Sequence, residues 1–390
     1  MLTQNHHRYS GQAWRDVTEA TRRAYAQAQF VLAAHDLSQG QPRASLRRLD
    51  MALLMGPPTA HGAANALAEL VQTTALLLEP EPVAAVAEDE EEQAPASNSS
   101  SSSSGRKRPR PRAAPVADTV PRVACPSLHQ FLEQHLKPQV PVILTGCMAQ
   151  WPACEVGGAR AWRDLAYLKR VAGARTVPVE VGKGTYLSAE EGGWGQRLMT
   201  LGEFIDRFVV AAHEGEEKGY LAQHELFAQL PALRRDILVP DYCALEDEEG
   251  DDADGDVIVN AWFGPAGTIS PTHTDPYHNL LAQVVGAKAI RLFPPAQTPC
   301  LYPHRGLMHN NSQVDPKAPD LARFPRFARA APLHCVLEEG EMLYIPPLWW
   351  HHIESLAVSF SVSFWWGRHR EMPPPPVEGE GEGEQEEEGS

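Results

Sequence analysis

Two separate runs of the sequence contain side chains that could bind one metal ion. His273 and Asp275 lie in the run SPTHTDPYHN, and His351 lies far downstream in IPPLWWHHIES. Two neutral imidazoles and one carboxylate leave coordination positions open, which is the ligand set of non-haem Fe(II) oxygenases. An HxD tripeptide alone occurs by chance in many chains, and a single buried histidine is more often a core residue. The three residues together predict a metal centre.

A β-strand would bring His273 and Asp275 to the same metal ion. Residues i and i+2 of a strand point to one face, whereas on a helix they would diverge by roughly 200°. Pro271 argues against a helix, and the neighbouring Thr and Ile residues favour a strand. We therefore expect the pair on a strand, with the third ligand on a distant strand that folds back over it.

The run EEGEMLYIPPLWWHHIESLAVSFSVSFWW is expected to supply that third ligand. It predicts a strand at MLYI, a turn at PPLW, a strand that carries histidine, and a strand at VSFSVSF with alternating character. His351 and His352 are adjacent, so they should face opposite sides of their strand, and only one is expected to bind metal. Spacing alone does not choose between them. Strands on both sides of the site predict a jelly-roll barrel.

A lysine in apolar surroundings suggests a second component of the site. The run LLAQVVGAKAIRLF predicts two strands joined at Gly286, with Lys288 in the second strand. A buried lysine needs an anionic partner, and the distal carboxylate of a keto-acid co-substrate would supply one. The alternative is a turn lysine whose amine lies in solvent.

From about residue 126 to residue 368 the chain resembles the JmjC-domain 2-oxoglutarate oxygenases. The strings that carry the resemblance are RTVPVEVG, LMTLGEFI, GYLAQHELF, PDYCAL, NAWFGPAGTISPTHTDPYHNLLAQVVG, LYPH, NSQVDP, EMLYIPPLWWHH and SFSVSFWW. The resemblance implies an α+β chain whose C-terminal part is a double-stranded β-helix, a cupin-like jelly roll with flanking helices. It also implies Fe(II), 2-oxoglutarate and O2 as cofactor and co-substrates.

The resemblance assigns roles to further residues. It makes His351 the third ligand and His352 a wall residue. It implies that Lys288 and Tyr186 hold the distal carboxylate of 2-oxoglutarate, with Asn279 beside it. Ser270 and Trp262 are expected to line the pocket. Trp262, Trp365 and Trp366 are expected to shape the barrel interior rather than to touch iron.

The expected reaction decarboxylates 2-oxoglutarate to succinate and oxidises a protein substrate. Hydroxylation of arginine at Cβ is the first expectation, because the sequence has no zinc or aromatic cluster typical of a histone-reading module. Demethylation of methyl-lysine, for example in histone tails, is the second. A metal-dependent endopeptidase that cleaves methylated histone tails is a further alternative, although the chain has no HExxH motif. The last alternative is a non-catalytic chromatin scaffold.

Charge and cysteine content limit the classes of partner. The formal net charge is −16, but three acidic runs at 88–92, 246–256 and 378–388 contribute most of it. The rest of the chain is near neutral, so no general nucleic-acid affinity is expected; the run at 246–256 could attract a basic peptide. The six cysteines have no CxxC spacing and predict reduced thiols. No membrane span or secretory leader is expected.

The composition divides the chain into four parts. Residues 1–80 predict a helical domain, loosely similar to tetratricopeptide units, that either binds protein partners or only packs on the neighbouring domain. Residues 81–120 predict a linker without stable structure, residues 121–370 the JmjC domain, and residues 371–390 an acidic tail. The basic run RKRPRPR at 106–112 predicts nuclear import, with a cytoplasmic protein as the alternative.

Overall fold

The computed structural model describes residues 17–56, 61–78, 119–182, 194–211, 217–247 and 256–371. Several predictions concern residues outside these ranges: most of the linker, the basic run 106–112, Tyr186, most of the acidic run 246–256 and nearly all of the tail. Among the described residues, no helix combines the length and apolar character needed to cross a membrane.

Three helices form the N-terminal part, as the sequence predicted. They are α1 (Glu19–Ser38), α2 (Pro42–Met55) and α3 (His61–Leu78). The Thr18 hydroxyl caps α1 by accepting a hydrogen bond from the amide of Thr21 at 3.3 Å. Gly40 has a φ of +70°, which allows the tight turn into α2, and Pro42 stands at the first position of that helix.

The buried face of α1 is not the predicted one. The spacing of five apolar residues predicted the core face: Val17, Ala20, Ala24, Ala28 and Val31. Val31 is 71% exposed, whereas Ala26 and Ala33 are buried. Phe30 packs beside them against Leu46 and Leu49 of α2. Small alanines bury little area on either face, so the large aromatic ring determines which face turns inward.

The remaining described residues form thirteen strands and several short helices. In chain order the strands β1 to β13 are Arg122–Ala124, Val142–Thr145, Thr176–Gly182, Trp194–Thr200, Lys218–His224, Ile258–Gly264, Ile269–His273, His278–Val285, Lys288–Phe293, Leu333–Leu337, Glu341–Ile345, Trp350–Ser355 and Ser359–Trp366. The α-helices α4 to α8 are Leu128–Phe131, Leu165–Ala172, Leu201–Phe204, Leu226–Gln229 and Pro231–Arg234. The π-helical turns are Leu132–Leu136 and Ile205–Val210, and the 3-10 turns are Pro152–Cys154, Asp241–Ala244, Pro295–Cys300, Gly306–Met308 and Pro325–Arg329.

The strands form two sheets that face each other. The larger has nine strands in the order β1-β2-β11-β8-β13-β6-β5-β3-β4, and the smaller has four in the order β10-β9-β12-β7. From β6 onward the chain passes repeatedly between the two sheets. Residues from both sheets pack together in one apolar cluster, including Leu281, Leu343, Ile290 and Ile353. This arrangement is a double-stranded β-helix, which confirms the predicted jelly-roll fold.

The alternation in β13 separates the barrel interior from the outer core. Phe360, Val362 and Phe364 belong to the large core between the nine-stranded sheet and the helices that cover it. Ser361 and Ser363 point to the other face because successive side chains of a strand alternate. Side chains that share the face of Leu281 therefore line the space between the two sheets.

The prediction of two strands joined at Gly286 is confirmed, and the two strands belong to different sheets. Strands β8 and β9 flank this residue, whose φ is +79°. A Cβ atom at Gly286 would lie only 2.1 Å from the carbonyl oxygen of Val358. The turn therefore requires glycine for its backbone angle and for the close approach of a neighbouring chain segment. This turn carries the chain from the larger sheet to the smaller one, where Lys288 begins β9 and points into the barrel.

A buried ion pair joins the N-terminal helices to the barrel. Asp50 of α2 and Arg175, which immediately precedes β3, are 0% and 1% exposed in their side chains, and Arg175 donates to the Asp50 carboxylate at 2.7 and 2.9 Å. The amide of Thr176 and the side chain of Gln229 donate to the same carboxylate at 2.7 and 2.8 Å. Four donated hydrogen bonds compensate for the removal of this charge from water.

Replacement of Asp50 by alanine should strongly destabilise the protein. The Asp50→Ala substitution leaves the Arg175 guanidinium buried without its counter-ion, and we expect the free energy of unfolding to fall by about 3–5 kcal/mol. Denaturant unfolding followed by circular dichroism measures the change. Glu19→Ala is the control, because the Glu19–Arg23 pair is largely exposed and its loss should cost at most about 0.5 kcal/mol. Equal effects of the two substitutions would contradict this role of Asp50.

Candidate metal centre and co-substrate pocket

A β-bulge in β7 orients the first predicted ligand. His273 pairs with His351 and Ser270 pairs with Ile353, so three residue steps in β7 match two in β12. The extra residue allows Ser270 and His273 to point to the same side despite their odd spacing, as bulges beside active sites commonly do. Pro271 lies within the bulge, where its missing amide hydrogen disrupts no regular pairing. His273 is thereby directed into the barrel.

Asp275 lies two residues beyond the end of β7 rather than on the strand, which corrects the predicted placement. The backbone there is held by bonds to other segments: the amide of Thr274 donates to the carbonyl of Asn310 at 2.9 Å, and the amide of Leu348 donates to the carbonyl of Asp275 at 2.8 Å. These bonds continue the extended path past His273, so the expected approach of the two side chains occurs without a continuous strand.

The two ligand histidines have their ring nitrogens oriented by the backbone. Nδ1 of His273 lies 2.7 Å from the carbonyl oxygen of Pro271, and Nδ1 of His351 lies 2.9 Å from that of Trp349. A carbonyl can only accept, so each Nδ1 donates its hydrogen. Nε2 is therefore the nitrogen through which each ring would bind a metal ion, the arrangement that second-shell contacts usually impose on ligand histidines.

The predicted triad converges on one point. Ligand atoms of His273, Asp275 and His351 all lie within 4.8 Å of one another. Nε2 of His273 is 3.8 Å from one oxygen of Asp275, and Nε2 of His351 is 3.4 Å from the other. Burial alone would raise the pKa of Asp275, but the adjacent rings of His351 and His273 outweigh burial and lower it. An ionised carboxylate and two Nε2 atoms fit Fe(II).

His352 faces away from this centre. It pairs with Arg291 of β9 and shares the outer face of the smaller sheet with Glu354. Burial, followed by the charge of Arg291, lowers the pKa of His352 to about 4, so the ring is neutral. The structure therefore distinguishes the two adjacent histidines, and it corrects the expectation that His352 is a wall residue of the pocket.

Lys288 is a buried cation inside the barrel. Its side chain is among the largest that are fully buried, and the residue is 1% exposed, which excludes the alternative of an amine in solvent. Within the described part of the chain, its ammonium lies 3.4 Å from the Tyr220 hydroxyl and no carboxylate pairs with it. Burial lowers the pKa of Lys288 to about 7. An anionic ligand is the missing compensation for this buried amine.

Tyr220 is a residue of this pocket that sequence reasoning missed. Its hydroxyl contacts Lys288 and hydrogen-bonds with Ser270. Burial raises the pKa of Tyr220, and the Ser270 contact offsets this only in part, so the phenol keeps its proton at neutral pH. The predicted tyrosine, Tyr186, lies outside the described residues and stays a prediction. The string GYLAQHELF contains Tyr220, but only the pairing of distant strands places it beside Lys288.

Asn279 presents an unpaired acceptor to the barrel interior. It lies in β8 opposite Ile345 and Trp365, on the same face as Leu281. The side-chain oxygen of Asn279 is buried and has no hydrogen-bond partner among the described residues. An unsatisfied buried carbonyl is costly, and it fits a site in which a bound ligand or its water supplies the donor.

The three tryptophans occupy different positions. The indole Nε1 of Trp262 donates to Ser363 at 2.9 Å, and its ring lies 6.2 Å from that of Tyr220. Trp365 shares the inner face, as expected for the barrel interior. Trp366 does not, because it belongs to the outer core and stacks on His278. The expectation for Trp366 was wrong, since adjacent residues of a strand face opposite sides.

One acid of the run 246–256 is structural. The side chain of Asp247 is 8% exposed and lies 3.3 Å from Nε2 of His278, and Arg370 also contacts its carboxylate. The His278 hydrogen bond is the main reason that the pKa of Asp247 falls to about 2. Asp247 therefore connects the start of β8 to the end of the described chain and is not available to a basic peptide.

Comparisons with known proteins agree with this geometry. The family described as "Cupin-like domain" matches residues 128–372. Lysine-specific demethylase 8 of Xenopus tropicalis is 48% identical over 256 residues, which are 65% of this chain and 54% of that protein. Lysine-specific demethylase 8 of Danio rerio is 42% identical over 362 residues, which are 90% of this chain and 82% of that protein.

A more distant relative is named as a peptidase and lysyl hydroxylase rather than as a demethylase. The bifunctional peptidase and (3S)-lysyl hydroxylase JMJD7 of Homo sapiens is 29% identical over 271 residues, which are 62% of this chain and 81% of that protein. The chain thus spans about half the length of the Xenopus relative and most of the other two. The resemblance to JmjC-domain proteins is confirmed: the chain belongs to the cupin-like JmjC family, together with the proteins named lysine-specific demethylase 8.

Proposed function

We propose that the chain is an Fe(II)- and 2-oxoglutarate-dependent protein oxygenase that hydroxylates arginine side chains at Cβ. The observation that carries this proposal is the convergence of His273, Asp275 and His351 in the same barrel as Lys288, which is buried and pairs with no carboxylate of the described residues. A three-residue ligand set with open positions favours a metal that binds a co-substrate and oxygen, and a buried lysine favours an anionic co-substrate. A purely structural metal site would require neither.

The residues of the triad hold and orient the metal. His273 and His351 would each offer Nε2, because their Nδ1 atoms donate to backbone carbonyls. Asp275 would supply the charge that balances a divalent ion. When bound, iron with 2-oxoglutarate and O2 supplies the oxidation that replaces a substrate C–H bond with C–OH, and the co-substrate becomes succinate.

The other pocket residues hold the co-substrate and exclude water. Lys288 would pair with the distal carboxylate of 2-oxoglutarate, and the Tyr220 hydroxyl would donate to the same group. The buried side-chain oxygen of Asn279 would accept a hydrogen bond from a water molecule that accompanies the co-substrate. Apolar residues of both sheets fill the rest of the interior and keep it dry, including Ile290, Leu292 and Ile353. Low local polarity strengthens the Lys288 ion pair.

The same oxidation fits two kinds of substrate side chain, arginine and methyl-lysine. We place arginine hydroxylation first because the sequence contains no zinc or aromatic cluster for reading histone marks. Demethylation of methyl-lysine is second, and the names of the relatives at 42% and 48% identity favour it. Hydroxylation of an N-methyl carbon would release formaldehyde, whereas hydroxylation at arginine Cβ leaves a stable alcohol. The mass of the product distinguishes the two.

The first experiment measures the products formed from defined peptides. The full chain, loaded anaerobically with Fe(II), is mixed with 2-oxoglutarate and peptides that contain arginine or methyl-lysine, then exposed to air and followed by mass spectrometry. A gain of one oxygen on an arginine peptide is the expected result. Loss of a methylene mass with formaldehyde would replace arginine hydroxylation with demethylation. Peptide cleavage that does not need 2-oxoglutarate would contradict the oxygenase proposal.

The adjacent histidines provide a matched pair of variants. His351→Gln should lower bound iron after dialysis and should lower kcat/KM at least about 100-fold, because it removes a ligand. His352→Gln should retain both iron and activity, because that ring lies on the outer face of its sheet. Metal analysis and peptide turnover measure the two effects. Equal loss of iron in both variants would contradict the assignment of His351 as the ligand.

The pocket lysine has a separate, binding-based prediction. Lys288→Met should weaken 2-oxoglutarate binding by about 30-fold or more, because it removes one partner of a buried ion pair. In the metal-loaded protein, the rise of Tm with added 2-oxoglutarate measures this loss. Lys317→Met is the control, because Lys317 pairs with Glu354 at the surface. An unchanged Tm response in Lys288→Met would contradict the assigned carboxylate contact.

The same lysine should give the ligand-free protein a characteristic pH dependence. The pKa of Lys288 falls from its ordinary 10.5 to about 7 on folding, so between these values the unfolded chain binds more protons than the folded chain. Stability from this group therefore rises as pH increases through that window. Lys288→Met should remove this contribution, as seen by comparing thermal unfolding at pH 6.5 and pH 9. An identical pH response of the two proteins would contradict the lowered pKa of Lys288 in the folded state.

A further inference from the structure

Two thiols lie together at the edge of the larger sheet, away from the metal centre. Strands β1 and β2 pair in parallel, so the residues that follow their ends are neighbours. Cys125 directly follows β1, and Cys147 follows β2 by two residues. The Sγ atoms of Cys125 and Cys147 are 3.1 Å apart. Both cysteines are reduced in this structure.

The backbone holds Cys125 in an uncommon conformation. Its φ is +34°, and the neighbouring Gly146 has a φ of +79°. The amide of Cys125 donates to the carbonyl of Thr145 at 3.0 Å, which fixes this turn beside β2. A left-handed conformation costs free energy for a residue with a side chain, and residues in this conformation cluster at functional positions. Here the conformation turns the Cys125 side chain towards Cys147.

A cavity of about 410 Å³ opens beside the two sulfur atoms. Its lining includes Cys125, Cys147, Tyr242 and Met342. Cys125 is exposed and Cys147 is half-buried. A small reagent can therefore reach Cys125 first, and the cavity gives room for a group attached to that sulfur.

We propose that Cys125 and Cys147 form a reversible disulfide by exchange with a low-molecular-weight disulfide such as oxidised glutathione. In the first step the Cys125 thiolate attacks one sulfur of the reagent, which forms a mixed disulfide and releases one reduced thiolate. In the second step the Cys147 sulfur attacks the Cys125 sulfur, forms the internal disulfide and expels the second reduced thiolate. The two cysteine protons pass to the released thiolates, so the two protein thiols are oxidised as the reagent is reduced to two thiols.

The surroundings support this order of attack. Burial, together with the contact to Cys125, raises the pKa of Cys147 to about 11, so Cys147 remains a thiol at neutral pH. The Tyr242 hydroxyl lies 3.8 Å from its sulfur and donates to the carbonyl of Pro126 at 2.6 Å. Exposed Cys125 is therefore the entry point, and sheltered Cys147 resolves the mixed disulfide. The short distance between their sulfurs favours the second step over release of the reagent.

The test uses the full chain equilibrated with mixtures of oxidised and reduced glutathione. Free thiols are then blocked with an alkylating agent, and non-reducing peptide mapping locates the linked cysteines. We expect loss of two hydrogen masses, linkage of Cys125 to Cys147, and full reversal by dithiothreitol. Retention of both free thiols in the most oxidising mixture would overturn the proposal. Linkage of either residue to another cysteine, or a covalent dimer, would overturn it as well.

Single substitutions test the order of attack. Cys147→Ser should accumulate glutathione on Cys125, because the resolving thiol is absent. Cys125→Ser should leave Cys147 largely unmodified, because that sulfur is sheltered. Cys300→Ser is the matched control and should form the disulfide as the parent protein does. The comparison uses only variants whose circular dichroism spectrum and Tm match those of the parent protein. Glutathione bound mainly to Cys147 in Cys125→Ser would contradict the assignment of Cys125 as the entry point.

Discussion

The site depends on the pairing of two short strands, β7 and β12, across one edge of the smaller sheet. This pairing sets His273 directly opposite His351, with ring centroids 4.2 Å apart. Both strands must therefore be in register before a metal site exists. The bulge around Pro271 is part of that register, because without it Ser270 and His273 would face opposite sides. Backbone carbonyls two residues before each histidine then select the tautomer in which Nε2 is the metal-binding nitrogen.

The barrel interior contains polar groups that lower the stability of the ligand-free fold. Lys288 is buried without a carboxylate among the described residues, and Asn279 keeps an unpaired oxygen. Each of these costs free energy that an apolar side chain would not. The surrounding apolar cluster offsets the cost and also keeps the pocket dry. A ligand that supplies a carboxylate to Lys288, with a water molecule that donates to Asn279, would satisfy both groups, so binding and stability are coupled in this barrel.

The N-terminal helices are attached to the barrel by specific polar contacts as well as apolar packing. The Asp50 carboxylate accepts hydrogen bonds from two segments of the barrel domain, the adjacent residues Arg175 and Thr176 and the distant Gln229. Such a buried network is favourable only when every member is satisfied, so it fixes one orientation of the helices and penalises others. His224 extends the network from β5 by contacting Gln229 at 2.8 Å. Tyr220 lies on the same strand, so β5 contacts both this polar network and the co-substrate pocket.

The sequence by itself determined the types of the ligands, the strand that carries His351, the turn between two strands at Gly286 and the alternation of β13. These features follow from local periodicity and from the conformational limits of glycine and proline, so they can be predicted without the fold. The resemblance to JmjC-domain proteins was needed to choose His351 over His352. Tertiary structure alone decided the bulge in β7, the place of Tyr220 beside Lys288, the outward face of Trp366 and the buried face of α1. Each of these depends on register or packing between segments far apart in the chain, where no local pattern fixes which residues meet.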